Sequence, residues 1–391
     1  MIKFEDSAVP FEKTINGYYR VGEKFFYKNF NAILESNITK LPISWDFHRS
    51  KFTSSINNRN LNLNLDEQYK LRAKQLRDSY DYLILAFSGG SDSDNILRVF
   101  LKNNIKLDEV WSSFPKTLIE KSNYIISHDL DASNMPSEYY LVIEPELKKL
   151  AVTNPEIKIT VSDPSAQLTN EDYEDTLTVL NFPQSYMAIK RWRLLIEHIR
   201  RLTQKGKKVA AILGADKPIP HIKDNAYGIL FSDRGTFLKS DIVLDELFSI
   251  EYFYWSTNFP DLPIAQGRKL WNYLLGNKEI TSNLLKNQIA GNPNVLFRNK
   301  KFDEITKKIC YPDWDFTKHQ VGKANFLNNM QYSKFLAPHM NNKFYQSYMH
   351  NINIINRLDP TITFNDGKSA LSDIKSHYSF YSLGEINWAK F

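Results

Sequence analysis

The chain has 391 residues, of which 42% are hydrophobic and 14% aromatic, and its formal net charge at pH 7 is +6. This length and composition can form a large buried core, and they favour about two domains, with three as the upper bound. The mild positive charge is compatible with an anionic ligand but does not by itself indicate nucleic-acid binding. No segment approaches the roughly 20 consecutive apolar residues that a membrane-spanning helix needs.

The cysteine content excludes two kinds of site. Cys310 is the only cysteine, so the sequence supports neither a disulfide framework nor a zinc site built from cysteines. The first residues, MIKFEDSAVPFEK, carry charges where a signal peptide needs an apolar core. These features predict a cytoplasmic protein that has no membrane partner.

Strand-like and helix-like patterns alternate through the first two thirds of the chain. Residues 1–64 predict a small region of short strands and hairpins, and Leu65–Tyr80 has the periodicity of a helix. The alternation that follows predicts an α/β fold with a doubly wound, mainly parallel sheet. Its predicted strands are Tyr82–Phe87, Asp108–Phe114, Ile157–Val161 and Lys208–Leu213, and its helices are Asp94–Lys102 and about 184–204.

The last part of the chain has a different pattern. Ala226–Leu238 predicts a hairpin that closes on Asp233-Arg234-Gly235. From about residue 240 the sequence looks mainly helical and shows no repeated strand signal. We therefore expect three regions: a small N-terminal α+β region of strands and hairpins over 1–64, an α/β domain over 65–238, and a mainly helical C-terminal substrate domain over 239–391.

A run of small residues follows the strand predicted at Tyr82–Phe87. This segment is Ser88-Gly89-Gly90-Ser91-Asp92-Ser93, and a predicted helix follows it. Ligands of parallel sheets bind beyond the carboxyl ends of the strands, and a helix N-terminus offers unpaired N–H groups to an anion. The glycines allow positive φ and close approach of the backbone, while the three serines add hydroxyl donors. Asp92 repels phosphate, so its place in an anion site predicts a magnesium ion between the two. The alternative is a simple tight turn.

Two common phosphate-binding motifs are absent from this segment. A Walker loop needs a lysine, but the first one after the segment is Lys102, and the dinucleotide fingerprint G-x-G-x-x-G is missing as well. The segment instead resembles the PP-loop, S-G-G-x-D-S, of the N-type ATP pyrophosphatases. That superfamily includes asparagine synthetase, GMP synthetase, NAD synthetase and argininosuccinate synthetase. The resemblance implies a PP-loop fold of the Rossmann-like type.

The resemblance also implies cofactors and residue roles. ATP and Mg²⁺ would bind together, with Ser88, Gly89, Gly90, Ser91, Asp92 and Ser93 holding the β,γ-pyrophosphate while a substrate oxygen attacks the α-phosphorus. Gly214-Ala215-Asp216-Lys217 is similar to an acidic segment of the asparagine-synthetase branch, although Lys217 replaces a glutamate. Asp92 and Asp216 become the expected metal ligands, and Asp92 and Lys217 the expected catalytic residues. The alternative for Asp216 and Lys217 is a helix N-cap with an exposed lysine. Phe114 is expected to contact adenine, or else to belong to the core.

The implied activity is that of an ATP-dependent ligase. An acceptor oxygen on a small molecule or nucleotide would be adenylated with release of pyrophosphate, and an amine or ammonia would then displace AMP. Ile2 follows Met1 where a fused glutaminase of the asparagine-synthetase kind needs cysteine, so no such domain is expected. Two alternatives stay open: an enzyme that modifies or thiolates a nucleobase or nucleic acid, and a non-catalytic nucleotide-binding module.

Further segments carry weaker signals. YYRVGEKFF and IEYFYW resemble asparagine-synthase-like proteins of bacteriophages, which implies the cytoplasm of a bacterium or a phage-infected cell. His221, Lys223 and Asp224 are candidates for the substrate side of the site, although an exposed loop has the same composition. His377 and Tyr378 lie close to Lys375 near the C-terminus and form a further polar group.

Overall fold

The structure is a computed structural model of the 391-residue chain. It describes residues 17–26, 29–114, 116, 138–163, 186–214, 219–233, 248–280, 282, 300–318 and 377–386, and the statements below refer to these residues.

The N-terminal region combines a small antiparallel sheet with two helices. Its central strand pairs with the other two, and the tight turn at Gly22-Glu23 confirms the predicted hairpin. The sequence predicted an α+β region here but did not place either helix, and the second helix contains only two large apolar residues, Phe52 and Ile56. The elements are Tyr18–Val21 (β1), Lys24–Phe26 (β2), Asn29–Thr39 (α1), Ile43–Asp46 (β3) and Arg49–Asn57 (α2).

Five parallel strands flanked by helices form the centre of the protein, which confirms the α/β class and the parallel sheet. The strands are Tyr82–Ala86 (β4), Glu109–Ser113 (β5), Lys158–Ser162 (β6), Val209–Leu213 (β7) and, later in the chain, Phe248–Tyr252 (β10). Their order is β10-β7-β4-β5-β6. The middle of β4 and all of β7 are buried, as expected for strands covered on both faces. The strand order reverses between β4 and β7, so the topological switch point lies at their carboxyl ends.

Three of the four helices around this sheet were predicted from the sequence periodicity, and the one over Glu144–Thr153 was not. Asn64 begins the first of them, because its side-chain oxygen accepts the N–H of Asp66 at 3.1 Å. A π-helical turn at Tyr139–Ile143 leads directly into the third. These helices are Leu65–Ser79 (α3), Ser91–Lys102 (α4), Glu144–Thr153 (α5) and Tyr186–Thr203 (α6). No helix in the described ranges has both the length and the apolar character required to cross a membrane.

A second antiparallel sheet corrects the predicted hairpin. Ile219–Lys223 (β8) and Ala226–Ser232 (β9) form a hairpin that turns at Asp224-Asn225, where φ is +51° and +65°. Two consecutive positive φ values suit a tight two-residue hairpin turn. The other edge of β9 pairs with Tyr378–Glu385 (β11). A hairpin that closes on residues 233–235 was therefore the wrong prediction, since both edges of β9 are already occupied.

The region after residue 240 is not simply helical. Its described part contains Asp261–Gly276 (α7) and Lys300–Cys310 (α8), but also β10 and β11. Because β10 pairs along its whole length with β7, it belongs to the central sheet and not to a separate helical region that starts at 239. The sequence signal was weak because β10 is a single strand of five residues. Cys310 ends α8 and is buried, and its carbonyl accepts the Tyr69 hydroxyl at 2.5 Å.

A buried arginine ties α3 to the end of β10. Arg72 is only 1% exposed, and its guanidinium donates to the Glu251 carboxylate at 2.8 Å and to the Tyr252 carbonyl at 2.7 Å. A longer contact of 3.4 Å joins it to the Phe253 carbonyl. Tyr80, which ends α3, donates to the other oxygen of Glu251 at 2.6 Å. A buried charge needs partners of this kind, so Arg72 fixes the backbone of the segment that follows β10.

We predict that Arg72→Met destabilises the protein by about 3–5 kcal/mol, because Glu251 would lose its charge partner inside the protein. The measurement is urea unfolding followed by circular dichroism. The control is Arg20→Met, which removes an exposed ion pair with Glu23 and is expected to cost less than about 1 kcal/mol. Equal losses in the two variants would contradict the structural role given to Arg72.

A second buried ion pair lies at the amino end of β5, away from the edge where a ligand would bind. The Glu109 carboxylate is inaccessible to solvent and contacts Lys158 at 3.1 Å and His198 at 2.9 Å. Thr160 and Tyr82 donate to it at 2.5 and 2.9 Å. Burial alone would raise the pKa of Glu109, but hydrogen bonds from these groups and the charge of His198 lower it from 4.5 to about 2. This cluster holds the sheet and α6 together.

We predict that Glu109 stabilises the fold fully above pH 4.5 and loses that contribution as the pH falls towards 2, since its pKa is lower in the folded chain than in the unfolded chain. Glu109→Gln should cost about 1–3 kcal/mol at pH 7. The difference from wild type in urea unfolding should shrink between pH 4.5 and pH 3. A difference that stays constant over that range would contradict the prediction, and Glu23→Gln, at an exposed position, serves as the control.

Candidate nucleotide site

The segment Ser88–Ser93, called here the glycine loop, lies at the switch point of the sheet. It follows β4, and α4 begins within it at Ser91. Ala86 is in register with Leu213 of β7 on one side and with Trp111 of β5 on the other. The glycine loop is therefore held between the carboxyl ends of two neighbouring strands, where ligands of open α/β sheets bind.

Both glycines have backbone conformations that the loop requires. Gly89 has φ of +72°, and a β-carbon built on it would lie 2.7 Å from Cγ1 of Ile143. A side chain there would meet a left-handed backbone and the wall formed by the π-helical turn. Gly90 is extended, with φ of −77° and ψ of 165°, and occupies the N-cap position of α4. This turn leaves the first N–H groups of α4 without partners inside the helix.

One serine holds the loop in shape and is not available to a ligand as a donor. The hydroxyl of Ser93 donates to the Gly90 carbonyl at 3.2 Å and accepts the N–H of Ser88 at 3.2 Å. Ser93 is buried, whereas Ser88 is exposed. Of the three hydroxyls predicted as phosphate donors, that of Ser93 is thus engaged within the loop.

Asp92 is fixed by contacts to its backbone. A β-carbon on Gly214, which follows β7, would lie 3.1 Å from Cβ of Asp92. The segment after β7 and the glycine loop are therefore in contact. The hydroxyl of Tyr254 donates to the Asp92 carbonyl at 2.8 Å and accepts the side chain of Asn95 at 3.0 Å. Burial raises the pKa of Tyr254 well above 10, and the charge of Asp92 raises it further. The hydroxyl therefore keeps its proton and its role as donor.

The other acid at the start of α4 is already neutralised. Asp94 is buried and pairs with Arg98 at 2.6 Å and with Lys318 at 3.0 Å. Lys318 also contacts Glu146 of α5 at 2.8 Å, and its ammonium lies 5.4 Å from the centre of the Trp314 ring. The sequence analysis gave no site role to Lys318 or Tyr254, because no local pattern places either of them beside this loop.

The structure places some predicted residues but not others. Asp216 and Lys217 lie outside the described residues, so their roles as metal ligand and catalytic residue stay predictions. In the described part of the chain, no group of three histidine, cysteine, aspartate or glutamate side chains could hold a metal ion. This does not conflict with Mg²⁺ at Asp92, because Mg²⁺ usually takes one or two carboxylates and completes its coordination with phosphates and water.

Phe114 occupies the expected position but is already in contact with other residues. It is 2% exposed, and its ring stacks on Tyr139 with the centroids 3.8 Å apart. Its N–H donates to the Ser162 carbonyl at 2.9 Å, and its carbonyl accepts the N–H of Lys116 at 2.8 Å. Adenine cannot pair with these backbone groups while the bonds persist. A contact between adenine and Phe114 stays a prediction and would require the ring pair to open.

Two hydroxyls at the end of β5 lack a hydrogen-bond partner among the described residues. They are the buried side-chain oxygens of Ser112 and Ser113. Consecutive strand residues point to opposite faces, so one of the two lies on the face of the sheet that a nucleotide would cover. Buried polar atoms are normally paired, and a ribose or adenine could satisfy this one if the side chains above it moved aside. The edge of the sheet thus fits ATP chemically.

Comparisons with known proteins add no assignment: no protein-family model, curated protein or solved structure matches this chain.

We predict that Gly89→Ala destabilises the protein more than Gly206→Ala does. Gly206 also has positive φ, +77°, but a β-carbon there would meet nothing within 4 Å. Both variants carry the backbone penalty of about 1–2 kcal/mol, and only Gly89→Ala adds the clash with Ile143. Urea unfolding measures the two losses. A double-mutant cycle with Ile143→Ala should show coupling at Gly89 and none at Gly206, and coupling of equal size at both positions would contradict the packing described here.

Proposed function

We propose that the protein binds Mg–ATP at the glycine loop and transfers AMP to an acceptor oxygen with release of pyrophosphate. The observation that supports this most is the position of the loop. It lies at the switch point of the sheet, carries a glycine in the left-handed region and precedes a helix N-terminus. Such an arrangement holds anionic oxygens with backbone N–H groups.

The reaction proposed is an in-line displacement at the α-phosphorus of ATP. The acceptor oxygen forms a bond to the α-phosphorus, and the bond to the oxygen that bridges the α- and β-phosphorus breaks, so pyrophosphate leaves with that oxygen. An amine or ammonia then displaces AMP from the acceptor. Mg²⁺ would neutralise part of the charge on the pyrophosphate.

The chain's own residues supply binding and orientation in this proposal. The N–H groups at the start of α4 would face the departing charge. The exposed hydroxyl of Ser88 lies 3.3 Å from the Ser93 hydroxyl and would turn from it to a phosphate oxygen when ATP binds. Asp92 would hold the cation, and its backbone is already fixed by Tyr254 and Gly214. Asp94 is neutralised by Arg98 and Lys318 and therefore adds little repulsion towards the phosphates.

We predict that Asp92→Asn weakens Mg–ATP binding at least tenfold and removes most of its dependence on Mg²⁺, because an amide is a poorer ligand for a hard cation. Ser88→Ala should weaken binding severalfold through the loss of one hydroxyl. Isothermal titration calorimetry with ATP, with and without MgCl₂, measures both effects. Ser79→Ala, an exposed serine on α3, is the control and should bind as wild type does.

The products of ATP test the chemistry separately from binding. With radiolabelled ATP, MgCl₂ and panels of carboxylates, amides and nucleosides plus ammonium, we expect AMP and pyrophosphate in equal amounts. Formation of ADP and phosphate would overturn the proposal, as would Mg–ATP binding that is unchanged by Asp92→Asn.

A further inference from the structure

A cavity of about 850 Å³ lies between the two three-stranded antiparallel sheets, and none of the glycine loop residues lines it. We call it the inter-sheet cavity. Strands β1, β2 and β3 with the start of α2 form one wall, and β8, β9 and β11 form the other. Sheets that face each other usually fill the space between them with interdigitated apolar side chains. Here the walls present charged, polar and aromatic side chains instead. Six of the lining residues are Tyr18, Phe25, Arg49, His221, Lys223 and Phe380.

Hydrogen bonds join the two walls along one side of the cavity. The Ser379 hydroxyl of β11 donates to the Trp45 carbonyl at 2.7 Å and accepts the N–H of Phe47 at 3.0 Å. The Tyr381 hydroxyl donates to the Phe47 carbonyl at 2.8 Å. These bonds tie β11 to β3 and the residue after it, so the cavity is already formed. Small-molecule sites are usually preformed in this way.

Two cations of the walls, Arg49 and Lys223, form no ion pair with another described residue, although two acids, Asp46 and Asp224, also line the cavity. Lys223 is exposed and, like Arg49, has no carboxylate partner within the described ranges. Arg49 donates to the Phe380 carbonyl at 3.0 Å, and its guanidinium lies 5.4 Å from the centre of the Tyr381 ring. Asp46, the acid closest to Arg49 in the chain, accepts the backbone N–H of Arg49 at 2.9 Å. Unpaired cations on a concave surface attract an anion, and Arg49 can present its remaining donors to phosphate oxygens.

Aromatic and imidazole rings complete the walls. Tyr18 and Phe25 meet edge to face at 5.6 Å on one side, and His221 and Phe380 do so at 6.0 Å on the other. Burial lowers the pKa of His221, and the nearby charge of Lys223 lowers it further, so its ring is neutral at pH 7. Its Nδ1 makes no hydrogen bond to any residue that the structure describes. Exposed ring surfaces of this kind stack on planar ligands.

A second imidazole, that of His377, lines the same cavity in a fixed orientation. Asp233 is fully buried, and its carboxylate accepts the Nδ1 of His377 at 3.2 Å and the backbone N–H of His377 at 3.1 Å. The Tyr19 hydroxyl donates to the same carboxylate at 3.1 Å. Asp233 thereby sets the orientation of the imidazole, and Nε2 is the nitrogen left for a ligand.

We propose that the inter-sheet cavity binds a nucleotide, with the phosphate at Lys223 and Arg49 and the base between the aromatic walls. The cavity volume is in the range of small-molecule sites, about 300–1,000 Å³. A ligand with both an anionic end and a planar ring uses the two kinds of wall together. The inference does not rest on ATP binding at the glycine loop, since no residue is shared between the two sites.

The test is calorimetric titration of the full-length protein with AMP, GMP, CMP and UMP, each against its nucleoside and against inorganic phosphate. We expect at least one nucleotide to bind at least tenfold more tightly than its nucleoside or phosphate. Lys223→Gln should weaken that binding at least tenfold, and Ala226→Trp, which fills the cavity, should abolish it. Lys205→Gln, at an exposed lysine just beyond α6, is the matched control and should bind as wild type does.

Three results would overturn the proposal. The first is that none of the four nucleotides binds at 1 mM or below, a rough limit for a site of this size. The second is binding that Lys223→Gln and Ala226→Trp leave unchanged but Asp92→Asn removes, which would place the ligand at the glycine loop. The third is equally tight binding of phosphate alone or of a benzoate, which would assign the cavity to simple anions. Circular dichroism of each variant verifies folding, and the exposed Lys223 keeps the test valid if Ala226→Trp does not fold.

Discussion

The candidate nucleotide site depends on the buried guanidinium of Arg72, which lies outside the glycine loop. Arg72 binds the side chain of Glu251 and the backbone carbonyl of the residue after it, and so fixes where the chain goes when it leaves the sheet. Two residues further on, Tyr254 reaches the Asp92 carbonyl. The conformation of the glycine loop is thus linked to α3, a helix that contains none of the loop's residues. Buried ion pairs contribute little net stability, so a role in specifying one arrangement of the chain is the better account of Arg72.

The fold could be predicted where its residues are buried on both faces. Runs such as Val209–Leu213 have no polar side chain to expose, and their alternation with amphipathic helices predicts a parallel sheet. The prediction failed where burial is one-sided or the element is short. Helix α2 buries only Phe52 and Ser55, so its sequence gives no helical stripe. Strand β9 looked like half of a different hairpin because Asp224-Asn225, the true turn, lies before it.

The candidate site was predictable in its local part only. Glycines between a buried strand and a helix indicate a ligand loop, because they give the backbone conformational freedom. This signal can be read from one short segment of the sequence. Tyr254 and Lys318 approach that loop from positions more than 150 residues later in the chain, and no local pattern encodes such contacts. The inter-sheet cavity depends even more on contacts between residues that are distant in the sequence. Its walls come from three distant parts of the chain, residues 18–49, 221–230 and 377–380, and only the folded sheets bring them together.

The single cysteine of the chain has a practical consequence. Cys310 is inaccessible at the end of α8, and its carbonyl holds the hydroxyl of Tyr69, which in turn accepts the amide of Gln266 at 3.0 Å. A thiol in this position reacts with alkylating reagents only when α8 separates from α3. Because no second thiol competes, the rate of labelling reports one opening event. The protein therefore contains its own probe of how often α8 detaches, and a ligand that holds α8 in place should slow the labelling.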